Sequence, residues 1–163
     1  DSLVLHSPFS RDEQTLEVWR AMEGLVDQGG VKQLGISNCY TLKTLQALHQ
    51  ASRIKPALLQ NRFYAESDYD EEIRAFCREQ NIIYQSFWTL TANPHLLADE
   101  TVRLLSMKYQ RMPAQILFRS LTQVDVVPLT GTRSENHMRE DLAIFEFELT
   151  VQELEAVTTL LWR

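Results

Sequence analysis

The sequence predicts an α/β fold with about five parallel strands joined by crossover helices. Three observations predict it. Short apolar runs of strand length alternate with amphipathic segments of helical period along the whole chain. Helix-start signals, Ser, Thr or Asp with Glu three residues on, recur between those runs. Each strand run ends on polar or aromatic residues: His6, Ser37-Asn38, Gln60-Asn61, Ser86-Phe87-Trp88 and Thr130-Gly131-Thr132. In a parallel α/β barrel, chemistry sits past the C-terminal ends of the strands, so these positions are the candidate site.

Ser2 to His6 reads as the first strand. Ser10 and Glu13 predict a capping box for a helix whose apolar stripe is Leu16, Trp19, Met22 and Val26, ended by Gly29-Gly30. The second strand is Val31 to Ile36. Thr41 then caps a helix that buries Leu42, Leu45 and Leu48. Ala57 to Gln60, after Pro56, is the third strand. Asp68 and Glu71 predict a second capping box, for a helix lined by Tyr69, Ile73 and Phe76. The fourth strand is Ile82 to Ser86. One helix around Val102 to Tyr109 and one opened by Pro113 follow, since Pro suits the first helical turn. The fifth strand is Val124 to Leu129. A short helix spans Glu135 to Leu142, and a last one starts at Thr150, with Glu153 completing its box, and runs to Leu161.

Bulk properties narrow the function. The 163 residues form one domain, 1–163, with the composition of an ordinary globular protein. A complete (β/α)8 barrel takes about 250 residues, so the sequence fits a partial TIM barrel or an open α/β sheet. No apolar run reaches membrane-helix length, which excludes a membrane role. A net charge of −6 without a Lys/Arg stripe excludes nucleic acid as a partner. Cys39 and Cys77, with no CxxC between them, fit a reducing, cytoplasmic setting. No metal is expected, because His6, His49, His95 and His137 lack ligand-like spacing. There is no Gly-rich phosphate loop and no GxSxG elbow. The acidic clusters at 68–72 and 135–141 read as helix N-terminal charge. The first residue is not Met, and the chain is expected to begin inside a longer reading frame.

Several motifs carry a family resemblance that covers essentially the whole chain in order. Leu3-Val4-Leu5-His6-Ser7-Pro8 resembles the aldo-keto reductase strand that ends in a catalytic-site His. Lys32-Gln33-Leu34-Gly35-Ile36-Ser37-Asn38 resembles the family's K-x-x-G-V-S-N strand, the most specific match. Pro56 with Gln60, Gln80 to Phe87, Pro113-Ala114-Gln115-Ile116-Leu117 and Phe145-Glu146-Phe147-Glu148-Leu149-Thr150 are similar to four further family segments. Aligned this way, the chain runs from the fourth barrel strand to the eighth, and the first three βα units are absent.

The resemblance implies reduction of a small-molecule aldehyde or ketone by hydride transfer from NADPH or NADH. His6 would orient the carbonyl. Ser37, Asn38 and Gln60 would hold the nicotinamide carboxamide, and Phe87 would stack on the ring. Trp88 would border the substrate pocket. Thr132, His137, Glu140 and Asp141 would grip the adenosine end. Gly131 and His137 stand where many members have the Lys and Arg that bind the NADP 2′-phosphate, which leaves the choice between NADP and NAD open. The family's Tyr, Lys and Asp belong to the absent strands. The isolated chain is therefore expected to be inactive, and to self-associate or to pair with missing barrel strands. The alternative reading is a truncated, catalytically inactive half-barrel that acts as a binding or regulatory protein.

Overall fold

The computed structural model describes residues 1–162. It contains five parallel strands and their crossover helices. The strands are β1 (Ser2–Leu5), β2 (Gln33–Ser37), β3 (Leu58–Arg62), β4 (Ile83–Phe87) and β5 (Val126–Pro128). The helices are α1 (Asp12–Asp27), α2 (Leu42–Ala51), α3 (Glu71–Glu79), α4 (Pro94–Ala98), α5 (Glu100–Tyr109), α6 (Pro113–Thr122), α7 (Glu135–Leu142) and α8 (Val151–Thr158). The chain forms two compact units. The first comprises Asp1–Arg62 and Asp70–Gln85; the second comprises Phe63–Tyr69 and the chain from Ser86 onward.

In the first unit the strands lie in chain order, β1-β2-β3 and then the first residues of β4. Ser2 pairs with Gln33 and Gly35 with Leu58, both in parallel register. The sequence explains why β2 is central. Leu34 and Ile36 are fully buried, and Gly35 between them carries no side chain. A Cβ on Gly35 would stand 2.4 Å from Leu58 Cδ1 and 2.9 Å from the Leu58 carbonyl oxygen, so only Gly allows this approach of β2 to β3. Trp19 of α1 and Leu45 of α2 are fully buried, and the Trp19 indole N–H donates to the Ile54 carbonyl at 2.9 Å.

In the second unit, Leu129 N donates to the Ser86 carbonyl at 2.7 Å and Phe63 N to the Phe87 carbonyl at 3.0 Å. These bonds fix the end of β4 within this unit. Ile116, Leu117 and Leu121 of α6, with Val102 of α5 and Phe63, form the apolar interior. The Thr150–Glu153 capping box forms at the start of α8.

Local details depart from the sequence reading. Arg11 is the N-cap of α1, without a side-chain bond, and Ser10 does not cap it. The Thr15 hydroxyl accepts from Phe9 N at 2.9 Å, which ties the chain ahead of α1 to its first turn. Asp68 does not cap α3. Asp68, Tyr69 and Asp70 all adopt left-handed φ, and α3 starts at Glu71. Asp70 is turned into the first unit's interior, where Asn61 and Tyr84 donate to its carboxylate at 2.6 and 2.9 Å, so it is not available as a cap. β2, β3 and β4 extend one or two residues beyond their expected ends. β5 is shorter than expected, because Asp125 turns with φ 62° and Pro128 brings no N–H to a ladder. The final helix is α-helical only to Thr158 and tightens to a 3-10 turn at Thr159–Trp162.

Candidate functional site

The first unit brings four of the expected site residues together. His6 follows β1, Ser37 closes β2 and Gln60 lies in β3. Ser37 Oγ donates to the Gln60 carbonyl at 2.9 Å, and Asn38 N donates to the same oxygen at 2.9 Å. Asn38 Nδ2 donates to the His6 carbonyl at 2.8 Å and to Ser37 Oγ at 3.2 Å. Asn38 has φ 53°, a left-handed conformation that Asn tolerates better than most residues. That turn directs its amide back across the strand ends. The His6 ring is exposed.

Two residues in this cluster carried no role in the sequence reading. Tyr40 Oη donates to Asn38 Oδ1 at 3.2 Å and accepts from Arg62 N at 3.0 Å. Gln85 Oε1 accepts from Gln60 Nε2 at 2.7 Å. Gln85 shares a face of β4 with Phe87 by the two-residue alternation of a strand, and that spacing was the available signal. Gln60 and Gln85 are both half-buried.

Beneath the cluster lies a buried polar network. Asn61 Nδ2 donates to the Cys39 carbonyl and to Asp70, and Asn61 Oδ1 accepts from Cys39 N. Burial, with the Asp70 carboxylate nearby, pushes the Tyr84 phenol far above its ordinary range. Cys39 and Cys77 are free, buried thiols, raised to about 11 and about 12 respectively, chiefly by burial. Neither is a nucleophile near neutral pH.

The second unit holds the remaining expected residues. Phe87 ends β4 half-buried. Trp88 takes φ 57° and is 58% exposed. Thr132 Oγ1 accepts from Ser134 N at 3.1 Å and lies 3.5 Å from His137 Nδ1. Ser134 caps α7 by accepting from His137 N. Asp141 accepts from the Thr130 hydroxyl at 2.9 Å, which ties α7 back to the end of β5. The Glu140 carbonyl accepts from Gln115 Nε2 at 2.7 Å, while Gln115 Oε1 accepts from Met112 N. Gln115 was quoted in a motif but given no role, and it proves to anchor α7 to α6. Arg139 is paired with Glu135 on the surface. Among the described residues, no group of three His, Cys, Asp or Glu side chains could hold a metal ion, and no helix is long and apolar enough to cross a membrane.

The parallel α/β architecture gathers hydroxyl and amide groups just past the C-terminal ends of its strands, where α/β barrels carry their sites. The model of the aldo/keto reductase family matches residues 1–161, and the chain belongs to that family. It is 30% identical to an NADPH-dependent alpha-keto amide reductase of Saccharomyces cerevisiae, covering 98% of this chain and 55% of that protein. It is also 30% identical to an NADH-dependent D-xylose reductase of Candida parapsilosis, covering 89% of this chain and 48% of the relative. A solved structure of a Gox0644 mutant in complex with NADPH superposes with a TM-score of 0.86 at 26% identity, covering 98% of this chain and 58% of that one. The chain thus spans about half the length of the relatives it matches.

Proposed function

We propose that this chain binds a nicotinamide dinucleotide and serves the reduction of a small-molecule aldehyde or ketone. The observation that carries the reading is the hydrogen-bonded cluster of Ser37, Asn38 and Gln60 at the ends of β2 and β3. Amide and hydroxyl groups fixed in this way suit a carboxamide, and holding the carboxamide decides which face of the ring is presented. His6 orients the carbonyl, Phe87 stacks on the nicotinamide, and Trp88 borders the substrate. Thr132, His137, Glu140 and Asp141 take the adenosine end. The cofactor is NADPH or NADH in this reading: Gly131 offers no charge, Arg139 pairs with Glu135 on the surface, and Arg133 is exposed nearby in the chain.

The bound cofactor supplies the hydride; the residues of this chain bind it, orient it and position the carbonyl. Of the four catalytic groups used by the family, this chain provides only His6. Cofactor binding without appreciable turnover is therefore the expected behaviour of the chain alone. The half-buried apolar residues of β1, with Val127 and Leu129 exposed at β5, favour self-association or pairing with further barrel strands.

The test is binding of NADPH and NADH, followed by titration calorimetry. Asn38→Ala and Gln60→Ala should each weaken binding about five- to tenfold, the worth of one hydrogen bond. The absence of saturable binding at millimolar dinucleotide would overturn the proposal. Oxidation of NADPH with 4-nitrobenzaldehyde, followed on the same samples, separates a binding protein from a working reductase.

A further inference from the structure

We infer that Gln85 is a positioning residue. Its side-chain carbonyl holds the Gln60 amide so that Gln60 Oε1, and not Nε2, is presented to the carboxamide of a bound nicotinamide. The inference rests on the cofactor reading above and deepens it. It is carried by the 2.7 Å bond from Gln60 Nε2 to Gln85 Oε1 and by the donor and acceptor inventory of the cluster around it.

That inventory runs as a short chain of bonds. Asn38 Nδ2 has two hydrogens, and both are engaged, by the His6 carbonyl and by Ser37 Oγ. The Ser37 hydroxyl hydrogen is engaged by the Gln60 carbonyl. Asn38 Oδ1 accepts one bond, from Tyr40, and keeps a second lone pair. Gln60 Nε2 commits one hydrogen to Gln85 Oε1 on β4, and no protein group among the described residues donates to Gln60 Oε1. Asn38 Oδ1 and Gln60 Oε1 are the acceptors this set presents, and they suit the NH2 end of a carboxamide, while one Gln60 Nε2 hydrogen remains as a donor.

Gln60 needs a partner to hold this orientation. The terminal torsion of Gln is broad and nearly two-fold, so a Gln amide without a fixed neighbour populates both faces. A lone Gln60 would show a ligand Oε1 and Nε2 almost equally. With Gln85 accepting from Nε2, one orientation is favoured. Both residues are half-buried, so water competes only in part for the bond.

The experiment compares NADP+ with its 3-acetylpyridine analogue, in which a methyl group replaces the carboxamide NH2. Dissociation constants are measured on the whole chain for the parent, Gln85→Met and Gln85→Glu. The parent should prefer the nicotinamide form by about tenfold, the worth of the lost donor. Q85M frees the Gln60 amide, and the preference should fall to within about threefold. Q85E should keep the parent's preference, because a carboxylate can only accept and so enforces the same orientation. Q85L replaces Q85M should the latter fail to fold. A purely structural role for Gln85 would weaken both dinucleotides alike and leave their ratio fixed. An unmoved ratio in Q85M and Q85L, or a Q85E that behaves like Q85M, overturns the inference while the cofactor reading stands. Failure of the parent to bind either dinucleotide overturns both.

Discussion

Gly35→Ala should destabilise the first unit more than any other one-methyl change in it. The added Cβ would meet Leu58 Cδ1 at 2.4 Å, Leu58 Cγ at 2.7 Å and the Leu58 carbonyl oxygen at 2.9 Å. The side-chain clashes can be relieved by a new Leu58 rotamer, but Leu58 is buried at 3% exposure and has little room to move. The clash with the carbonyl cannot be relieved that way. It requires β2 and β3 to separate, which lengthens bonds such as Ala57 N to Leu34 O, now 2.8 Å. Overpacking of this kind costs about 1–3 kcal/mol, and the backbone component places G35A at the upper end. Against a total stability of about 5–15 kcal/mol this is a large fraction. In a chain of this size it corresponds to a fall in Tm of roughly 5–10 °C. The assay is urea unfolding followed by far-UV circular dichroism, with m held constant between variants. Leu58→Ala in the G35A background should recover part of the loss, because it removes the side-chain clash and leaves the carbonyl. A G35A variant within about 0.5 kcal/mol of the parent would refute the reasoning, since strands that part so easily were never closely packed.

Two further outcomes follow from the ionisable groups. Glu153 is held down to about 2: burial would raise it, but bonds from Lys108, Tyr109 and Thr150 outweigh that. A depressed carboxyl contributes stability above its unfolded value of about 4.5 and loses it as pH falls through the folded one. Glu153→Ala should therefore cost about 1 kcal/mol at pH 7, as loss of a cap does, and its deficit in thermal melts should shrink between about pH 4.5 and pH 2. A deficit independent of pH would contradict the assignment. Cys39 and Cys77, raised to about 11 and about 12, should resist Ellman's reagent at pH 8 in the native protein and both react in denaturant. Rapid native labelling of either thiol would count against the buried network around Asp70.

The alternation of strands and helices was legible in the sequence because period and capping are local. α7 falls at Glu135–Leu142 as expected, and the Thr150–Glu153 box forms, since each needs only residues three or four apart. The strand-end residues Ser37, Asn38 and Gln60 were legible for a similar reason: a parallel strand delivers its last side chains to one end of the sheet. Other features were settled only by the tertiary structure. Asp68 and Ser10 have the right spacing for caps and do not act as caps. Asp70, the residue at the start of α3, was drawn to Asn61 and Tyr84, partners 9 and 14 residues away in sequence. Gln60 and Gln85 are 25 residues apart, as are Gln115 and the Glu140 carbonyl that it holds. No local pattern announces such pairs. A polar group buried among strands bonds to whichever donor or acceptor the fold brings within about 3 Å, and that choice exists only once the strands are side by side.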